Sequence, residues 1–309
     1  MKVAILGGGL AGLLTAARLI DRGVDDLVVL ERDSSPGGVA SSVHVDGFRI
    51  EPAVSSFLLP DPALSPLLEM LGVDPVPAAN SGRYVYGKHG LLALPQSPAL
   101  LASPVLGPVA KARALAEPLV RSRSMSEETL DEFARRRFGE EAGSLIGWLM
   151  ATGVFAGDPS DLSIAAAFPG MVELERRFGS VLRGALARRR SGVAVRRQAH
   201  VVDGGVAALV DACSRLLGDR LVTSFEATGV KSTDGGWEVT GAGVIESEHL
   251  VLANGAVAAS RLIDAEIGGL LAAERRAPVS IVGIGGRGAD PLPGFGVLVG
   301  PGAHQRTRG

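Results

Sequence analysis

The stretch 2-KVAILGGGLAG-12 decides the fold of this chain. The run from Val3 to Leu6 is short and continuously apolar, which is typical of a parallel strand that is covered on both faces. Three glycines in G-x-G-x-x-G spacing follow it, and apolar residues from Leu13 to Ile20 then recur at helical spacing. The stretch therefore predicts a strand, a tight turn and a helix.

Each glycine has a separate role in a dinucleotide-binding turn. Gly7 makes the turn, Gly9 lets a pyrophosphate reach the backbone, and Gly12 lets the helix lie close to the strand. The N–H groups at the helix N-terminus would bind the anion. A second apolar run, Leu27 to Leu30, leads into Glu31, whose carboxylate can accept hydrogen bonds from a ribose. We therefore predict a dinucleotide site here; a Gly-rich structural turn is the alternative.

A second pair of glycines follows Glu31, in the loop from Arg32 to Ser42. Backbone at Gly37 and Gly38 tolerates positive φ and the close approach of a ligand. The loop can therefore wrap a second part of the same cofactor. The alternative is an ordinary turn, which would not need the glycine pair at this place after the ribose-binding acid.

Composition favours a globular protein without nucleic-acid or metal partners. With 309 residues and 46% hydrophobic residues, the chain is long enough for two domains with real cores. A net charge of −2 gives no electrostatic reason to propose nucleic acid. The five histidines are scattered without ligand spacing, so we predict no metal site. No run of apolar residues is long enough to predict a spanning helix or a signal peptide.

Cys213 is the only cysteine, which excludes an intrachain disulfide and fits a reducing compartment. It lies in an apolar stripe at helical spacing, after Gly204 and Gly205, which open the helix. The pattern predicts a packed thiol and not a nucleophile.

Taken together, the two glycine motifs, Glu31 and 47-GFRIE-51 resemble the N-terminal half of the flavin amine-oxidase superfamily, in which this pattern holds FAD. A nicotinamide dehydrogenase would be expected to carry the first glycine motif without the second. The resemblance implies the following cofactor-binding residues: Gly7, Gly9, Leu10, Ala11, Gly12, Glu31, Arg32, Gly37, Gly38, Val39, Ala227 and Ala253.

Further motifs resemble the protoporphyrinogen and coproporphyrinogen oxidases. They include Arg83 to Tyr86, Thr152 to Asp158 and Gly294 to Val299, and the stretch from Thr152 is the most specific. The resemblance implies oxidation of protoporphyrinogen IX or coproporphyrinogen III to the porphyrin in haem synthesis, with FAD as cofactor and O2 as acceptor. Another flavin amine oxidase, a carotenoid desaturase, and a non-catalytic flavin-fold remnant are the alternatives.

Four residues are implied to bind the substrate. Arg83 would pair with a propionate, because a guanidinium forms two hydrogen bonds to a carboxylate; a surface arginine before a strand is the alternative. Gly153 would lie beside the reacting ring and offer its backbone carbonyl. Phe295 and Leu298 would pack the tetrapyrrole, although in isolation they would be ordinary core residues. The sequence supplies no convincing general base, so no catalytic residue is assigned.

The fold class expected is α/β, in three parts. Residues 1–80 and 196–260 would form a discontinuous Rossmann-type FAD-binding domain. Residues 81–195 would form an inserted, mostly helical domain that binds substrate and contacts the membrane. Residues 261–309 would begin a mixed-sheet substrate domain, incomplete because family members run well beyond Gly309.

The apolar, proline-interrupted stretch 91–120 suggests a set of short pieces that cover a hydrophobic substrate pocket or contact a membrane surface. A buried loop-and-helix subdomain is the alternative of equal weight. Arginines between positions 176 and 197 suggest a solvated helix face, with lipid headgroups or an acidic partner as the less favoured alternative. A homodimer and a cytoplasmic location, peripheral to the membrane, are further expectations.

Three local predictions concern secondary structure. Residues 126–137 would form a solvated surface helix capped by Ser126. Leu221 to Val230 would be one strand, with Trp237 to Val239 returning after a turn. Leu250 to Ala253 would be a buried strand that leads back towards the dinucleotide.

Overall fold

The computed structural model of the chain describes residues 1–78, 82–87, 90–94, 106–122, 127–191, 198–274, 276–286 and 296–300. The chain forms two compact units. The first, here called the sheet unit, comprises Met1–Ala78, Arg197–Arg276 and Ser280–Ala289. The second, the helical unit, comprises Ala79–Arg196, Ala277–Val279 and Asp290–Gly309. The three-part division expected from the sequence stays a prediction.

The elements follow one another along the chain in three blocks. The first block of the sheet unit contains β1 Val3–Leu6, α1 Leu10–Asp21, β2 Leu27–Leu30, β3 Val43–Val45, β4 Phe48–Ile50, β5 Phe57–Leu59, α2 Leu64–Met70 and β6 Pro75–Pro77. The helical unit follows with β7 Arg83–Gly87, β8 Gly90–Leu94, α3 Pro108–Leu115, α4 Leu130–Phe138, α5 Glu140–Phe155, α6 Ile164–Ala167, α7 Pro169–Phe178 and α8 Val181–Arg190.

The chain then returns to the sheet unit. This block contains β9 Gln198–Val202, α9 Val206–Leu217, β10 Leu221–Val222, β11 Gly229–Thr233, β12 Gly236–Thr240, β13 Val244–Ser247, β14 His249–Leu252, α10 Ala256–Ala259 and α11 Ala265–Ala272. The last described strand is β15 Gly296–Val299, which belongs to the helical unit.

A four-stranded parallel sheet is the centre of the sheet unit. Its order is β10-β2-β1-β14, so that β1 lies between strands from both ends of the unit's sequence. Ile5 packs in a cluster with Leu13 of α1 and Leu209 of α9, whereas Leu6 packs in another with Phe225. Burial of β1 on both faces explains its continuous apolar run. The predicted strand, turn and helix are confirmed.

Other predictions for this unit have mixed outcomes. The strand near Leu250 is confirmed as β14, but its apolar residues are only partly buried. Cys213 is fully buried on α9 as a packed thiol. The single strand from Leu221 to Val230 is wrong. The chain leaves β10 at Ser224, which has φ +56, and its N–H donates to the Asp33 carbonyl at 2.9 Å. Hydrogen bonds to the loop after β2 therefore divide the stretch into β10 and β11, which lie in different sheets.

The helical unit combines six described helices with the sheet β15-β7-β8. Its apolar core joins residues of α3, α4, α5, α7 and α8, among them Phe133 and Phe138. Of the apolar stretch 91–120, residues 95–105 lie outside the described residues. On α3 and the following 3₁₀ turn, Val109, Leu115 and Leu119 are exposed. Within the described parts of the chain, no helix is both long and apolar enough to cross a bilayer.

The prediction of a solvated helix capped by Ser126 is wrong. Helix α4 begins at Leu130, and Thr129 caps it: the Thr129 hydroxyl accepts from the Glu132 N–H at 3.2 Å, while the Glu132 carboxylate accepts from the Thr129 N–H at 2.9 Å. These backbone and hydroxyl hydrogen bonds from Thr129 hold the pKa of Glu132 below its usual value. Ser126 itself lies outside the described residues.

Two arginines of α4 are shielded from solvent, Arg137 completely and Arg136, whose side chain is 16% exposed, in part. Arg137 is 0% exposed, as is its ion-pair partner Glu117. Arg136 forms hydrogen bonds to Glu128 at 2.6 and 2.7 Å and to Glu175 at 2.8 and 2.9 Å. The bonds to Glu128, and then those to Glu175, raise the pKa of Arg136 above its ordinary value despite its burial. Helix α4 is thus fixed in the unit by charges as well as by apolar contacts.

Candidate active site

The first glycine turn lies at the carboxyl edge of the parallel sheet. The Gly7 N–H donates to the Leu30 carbonyl at 2.8 Å, and the Ala253 N–H donates to the Leu6 carbonyl at 2.8 Å. Gly7 has φ +110, and a Cβ there would lie 2.8 Å from the carbonyl carbon and oxygen of Ala253. Only glycine therefore fits between the ends of β2 and β14.

Gly9 and Gly12 differ in the space around them. Gly9 has an extended backbone before α1, and a Cβ there would meet nothing closer than the Gly37 oxygen at 4.0 Å. A Cβ at Gly12 would overlap the carbonyl oxygen of Gly7 and lie 3.4 Å from Ile5 Cγ2. Gly12 thus allows the close contact of α1 with β1, whereas Gly9 leaves an open cradle at the helix N-terminus.

Glu31 is held beside the turn and is only 7% exposed. Its Oε2 accepts from the Gly8 N–H at 2.6 Å, and its Oε1 accepts from the Asp33 N–H at 2.9 Å. Because each carboxylate oxygen has two lone-pair sites, both can still accept a hydrogen bond from a ribose hydroxyl. The structure therefore places this acid where the spacing predicted it.

The paired glycines contact the first glycine turn. Gly37 and Gly38 have φ +112 and +57, and the Gly37 N–H donates to the Gly8 carbonyl at 2.7 Å. Gly37 also forms a parallel bridge with Gly9, and a Cβ at Gly38 would lie 3.6 Å from the Gly9 Cα. The two glycine motifs, 25 or more residues apart in sequence, thus form one surface.

The remaining cofactor residues implied by the resemblance occupy less decisive positions. Leu10 and Ala11 begin α1. The Arg32 side chain is 68% exposed and forms an ion pair with Asp33 at 3.4 Å, and Val39 is 70% exposed. Ala227 lies two residues after Phe225, whose N–H donates to the Glu31 carbonyl at 2.8 Å. Their roles stay predictions.

Three polar side chains near this edge received no role from the sequence. Asn254 follows Ala253, and its Oδ1 is buried without a hydrogen-bond partner in the part of the chain that the structure describes. Ser42 and Glu51 lie beside the start of α9 and hydrogen-bond to each other at 2.8 Å. The glycine pair before α9 was the available signal in the sequence. A helix that begins after glycine has no capping side chain of its own, so its first N–H groups need acceptors from elsewhere in the chain.

The helical unit brings together three of the four implied substrate residues. A Cβ at Gly153, near the end of α5, would lie 3.7 Å from Leu298 Cδ1 on β15. Arg83 pairs with Gly296 and Val85 with Leu298, so that Arg83 and Leu298 lie on the same face of this sheet. Phe295 lies outside the described residues.

Comparison with known proteins tests the resemblance. A profile of the family "Flavin containing amine oxidoreductase" matches residues 10–274, which is more than half of the chain. The chain belongs to this family.

Relatives in the family include porphyrinogen oxidases. The human protoporphyrinogen oxidase is 31% identical over 96% of this chain and 69% of its own length. Protoporphyrinogen oxidase 2 of Arabidopsis thaliana is 31% identical over 60% of this chain and 38% of its own length. The coproporphyrinogen III oxidase of Staphylococcus aureus is 28% identical over 59% of this chain. The Arabidopsis and Staphylococcus matches span 38% and 42% of the relative, so this chain covers less than half the length of those two proteins.

Solved structures show the same fold. A crystal structure from Exiguobacterium sp., described as that of a protoporphyrinogen oxidase homologue, has a TM-score of 0.67 and 24% identity, and covers 84% of this chain and 61% of that chain. A putrescine oxidase with bound putrescine has a TM-score of 0.63 and 19% identity, and covers 85% and 60%. The α/β fold class predicted from the sequence is confirmed.

Family membership implies FAD, and the residues present fit it. The space at Gly9 lies at the N-terminus of α1, where an anion is stabilised by free N–H groups. Glu31 has acceptor capacity left for a ribose, and the buried Asn254 Oδ1 lacks a donor within the described residues. The paired glycines of the second loop adjoin the same cradle. These groups would hold the dinucleotide part of FAD.

Proposed function

We propose that this protein oxidises a porphyrinogen, protoporphyrinogen IX or coproporphyrinogen III, to the porphyrin with O2 as the final acceptor. The grouping of Arg83, Gly153 and Leu298 in one unit carries the proposal, since these residues match the porphyrinogen-oxidase motifs. The relatives named as protoporphyrinogen and coproporphyrinogen oxidases support the same substrate class.

The substrate is a large apolar ring that carries carboxylates, and the cluster offers a partner for each part. Leu298 and the exposed Val154 and Phe155 provide apolar contact area. Phe155 is fixed by an edge-to-face contact with Phe168, with ring centroids 5.6 Å apart. Arg83 is exposed and would bind a propionate through two parallel hydrogen bonds.

Gly153 offers a backbone carbonyl from the last turn of α5. Carbonyls in the last turn of a helix have no N–H partner within that helix. This one can accept a hydrogen bond from a pyrrole N–H. The carboxyl end of a helix also carries partial negative charge, which would stabilise positive charge that develops on the ring during oxidation.

FAD supplies the hydride acceptor for this reaction class. The chain's own residues bind and orient the ring, pair its carboxylates and shield its apolar surface. No side chain is assigned as a general base, so the N–H proton leaves to solvent in this proposal.

The test supplies the purified protein with FAD and each porphyrinogen separately, and follows porphyrin fluorescence and O2 consumption. We expect fluorescence to rise with at least one porphyrinogen. Arg83→Ala should raise KM roughly 10- to 100-fold, the loss of a charged hydrogen-bonded pair, with a smaller change in kcat. Arg183→Ala, which removes an exposed arginine of α8, is the matched control and should leave both constants unchanged.

Putrescine provides the opposing arm of the experiment. Bound flavin that is reduced by putrescine but by neither porphyrinogen would overturn the proposal in favour of amine oxidation. Equal KM values for Arg83→Ala and the unchanged protein would remove the propionate assignment.

A further inference from the structure

Helix α9 begins without a capping side chain of its own. It follows Gly204 and Gly205, which have φ +86 and +87. The first two N–H groups instead bond to side chains from a distant part of the sequence: Val206 N–H donates to Glu51 Oε2 at 3.3 Å, and Ala207 N–H donates to Ser42 Oγ at 3.3 Å. Residues about 160 positions away thus perform the capping.

The two capping side chains are coupled to each other. The Ser42 hydroxyl donates to Glu51 Oε1 at 2.8 Å, so that the one hydroxyl both donates and accepts. Arg49 approaches the same oxygen at 3.6 Å. The Glu51 side chain is 16% exposed and lies at the positive end of the helix dipole, where a carboxylate is stabilised. A Cβ at Gly205 would collide with both side chains.

Ser42 and α9 also border the paired-glycine loop. Ser42 lies two residues after Ala40, whose N–H donates to the Gly37 carbonyl at 3.0 Å. On the other side, a Cβ at Gly37 would lie 3.2 Å from Val210 Cγ1 of α9. The loop is therefore fixed to α9 twice, through packing at Gly37 and through the hydrogen bonds at Ser42.

We propose that Ser42 and Glu51 are positioning residues for FAD. They fix the paired-glycine loop to the start of α9, and the loop in turn bonds to Gly8 of the first glycine turn. Both glycine motifs are then held in one arrangement before the cofactor arrives, which lowers the ordering cost of binding. The inference rests on the FAD of this family and is independent of which substrate is oxidised.

The experiment measures the dissociation constant of FAD by titration of apoprotein, together with the thermal unfolding of the same apoprotein. The variants are Glu51→Ala, Glu51→Gln and Ser42→Ala. Asp264→Ala is the matched control, because Asp264 Oδ1 caps α11 in the same unit by accepting from the Glu266 and Ile267 N–H groups at 3.1 Å. Removing either cap should lower the thermal midpoint to a similar extent.

We expect loss of the α9 cap to weaken FAD binding and loss of the α11 cap to leave it unchanged. Glu51→Ala and Ser42→Ala should bind FAD roughly tenfold more weakly or worse, whereas Asp264→Ala should bind it as the unchanged protein does. Glu51→Gln keeps an oxygen that can accept from Val206 N–H, so it should restore most of the affinity lost in Glu51→Ala.

Two results would overturn the proposal. A Glu51→Ala protein with a lower thermal midpoint and unchanged FAD affinity would show that this contact only caps α9. If Glu51→Ala does not fold, Ser42→Ala takes its place, since it removes only one hydroxyl. A lower thermal midpoint with unchanged FAD affinity in Ser42→Ala would then overturn the proposal. An unchanged protein that binds no FAD at all would overturn the premise itself, and the titration shows this before any variant is made.

Discussion

The buried pair of Arg137 and Glu117 allows a sharp prediction about the helical unit. Both side chains are 0% exposed. Besides Arg137, the Glu117 carboxylate accepts from the Ser180 hydroxyl at 2.5 Å and from the N–H groups of Val181 and Leu182 at 3.0 and 3.2 Å. One carboxylate therefore neutralises the Arg137 guanidinium on α4 and caps the N-terminus of α8. Arg137 also donates to Glu175 Oε1 at 3.3 Å and to backbone carbonyls, but its Nε has no acceptor within the described residues.

Glu117→Gln removes the charge and keeps the volume. The guanidinium of Arg137 would remain buried with only the more distant Glu175 carboxylate, at 3.3 Å, as counterion. We therefore expect the unfolding free energy to fall by about 3 kcal/mol, the lower end of the range for a broken buried pair. Glu173→Gln is the matched control: its partner Arg176 on the same helix is 77% exposed, and a pair of this kind contributes less than about 1 kcal/mol.

Urea unfolding followed by helical circular dichroism measures these differences. The double variant Glu117→Leu with Arg137→Met removes both charges, and we expect it to regain more than half of the stability lost in Glu117→Gln. Loss of less than about 1 kcal/mol in Glu117→Gln would refute the argument that the buried charge is strongly dependent on this partner. A double variant as unstable as the sum of its single changes would refute it as well.

Three further predictions concern the rest of the chain. Gly12→Ala, whose Cβ would overlap the Gly7 oxygen, should destabilise the protein by about 1 to 3 kcal/mol and weaken FAD binding. Gly269 lies within α11 with open space around its Cβ position, so Gly269→Ala should be neutral or stabilising by up to about 1 kcal/mol. Urea unfolding and FAD titration of both variants test this. Burial raises the pKa of the Cys213 thiol from 9.0 to about 11, so the folded state keeps this proton to higher pH than the unfolded chain. The thiol should therefore make stability fall as pH rises from 9 to about 11, and pH-dependent unfolding of Cys213→Ala should show a smaller fall over this range. Thr129→Ala should remove the capping box of α4 and lower thermal stability by about 1 kcal/mol, as measured by calorimetry.

Local patterns predicted the glycine turn because each step involves neighbouring residues. The pattern consists of a continuous apolar run, glycines at fixed spacing and an acid after the second strand. It predicts the turn correctly as long as the first strand is buried on both faces. Structure confirms that burial, with Ile5 fully buried and Glu31 bonded to the turn. The parallel pairing of β1 with β14 joins residues about 246 positions apart, and its register could not be obtained from the pattern.

Predictions failed where distant residues decide the outcome. Asp131 and Glu132 lie four residues before Arg135 and Arg136, which is also the pattern of an exposed helix, and Arg137 continues the same polar run. Instead, Arg137 is fully buried and Arg136 is partly buried, because Glu117, Glu128 and Glu175 lie beside them, and the spacing within α4 does not predict those carboxylates. Ser42 and Glu51 escaped a role for the same reason, since the helix that they cap begins about 160 residues later.

The most direct test of the account is FAD binding to Gly9→Val. Because a Cβ at Gly9 would meet nothing closer than the Gly37 oxygen at 4.0 Å, the variant should fold with a stability within about 1 kcal/mol of the unchanged protein. Its side chain would occupy the cradle at the start of α1, so calorimetric titration should detect one FAD site in the unchanged protein and none in the variant. Equal FAD affinity in both proteins would contradict the assignment of this turn as the phosphate-binding site.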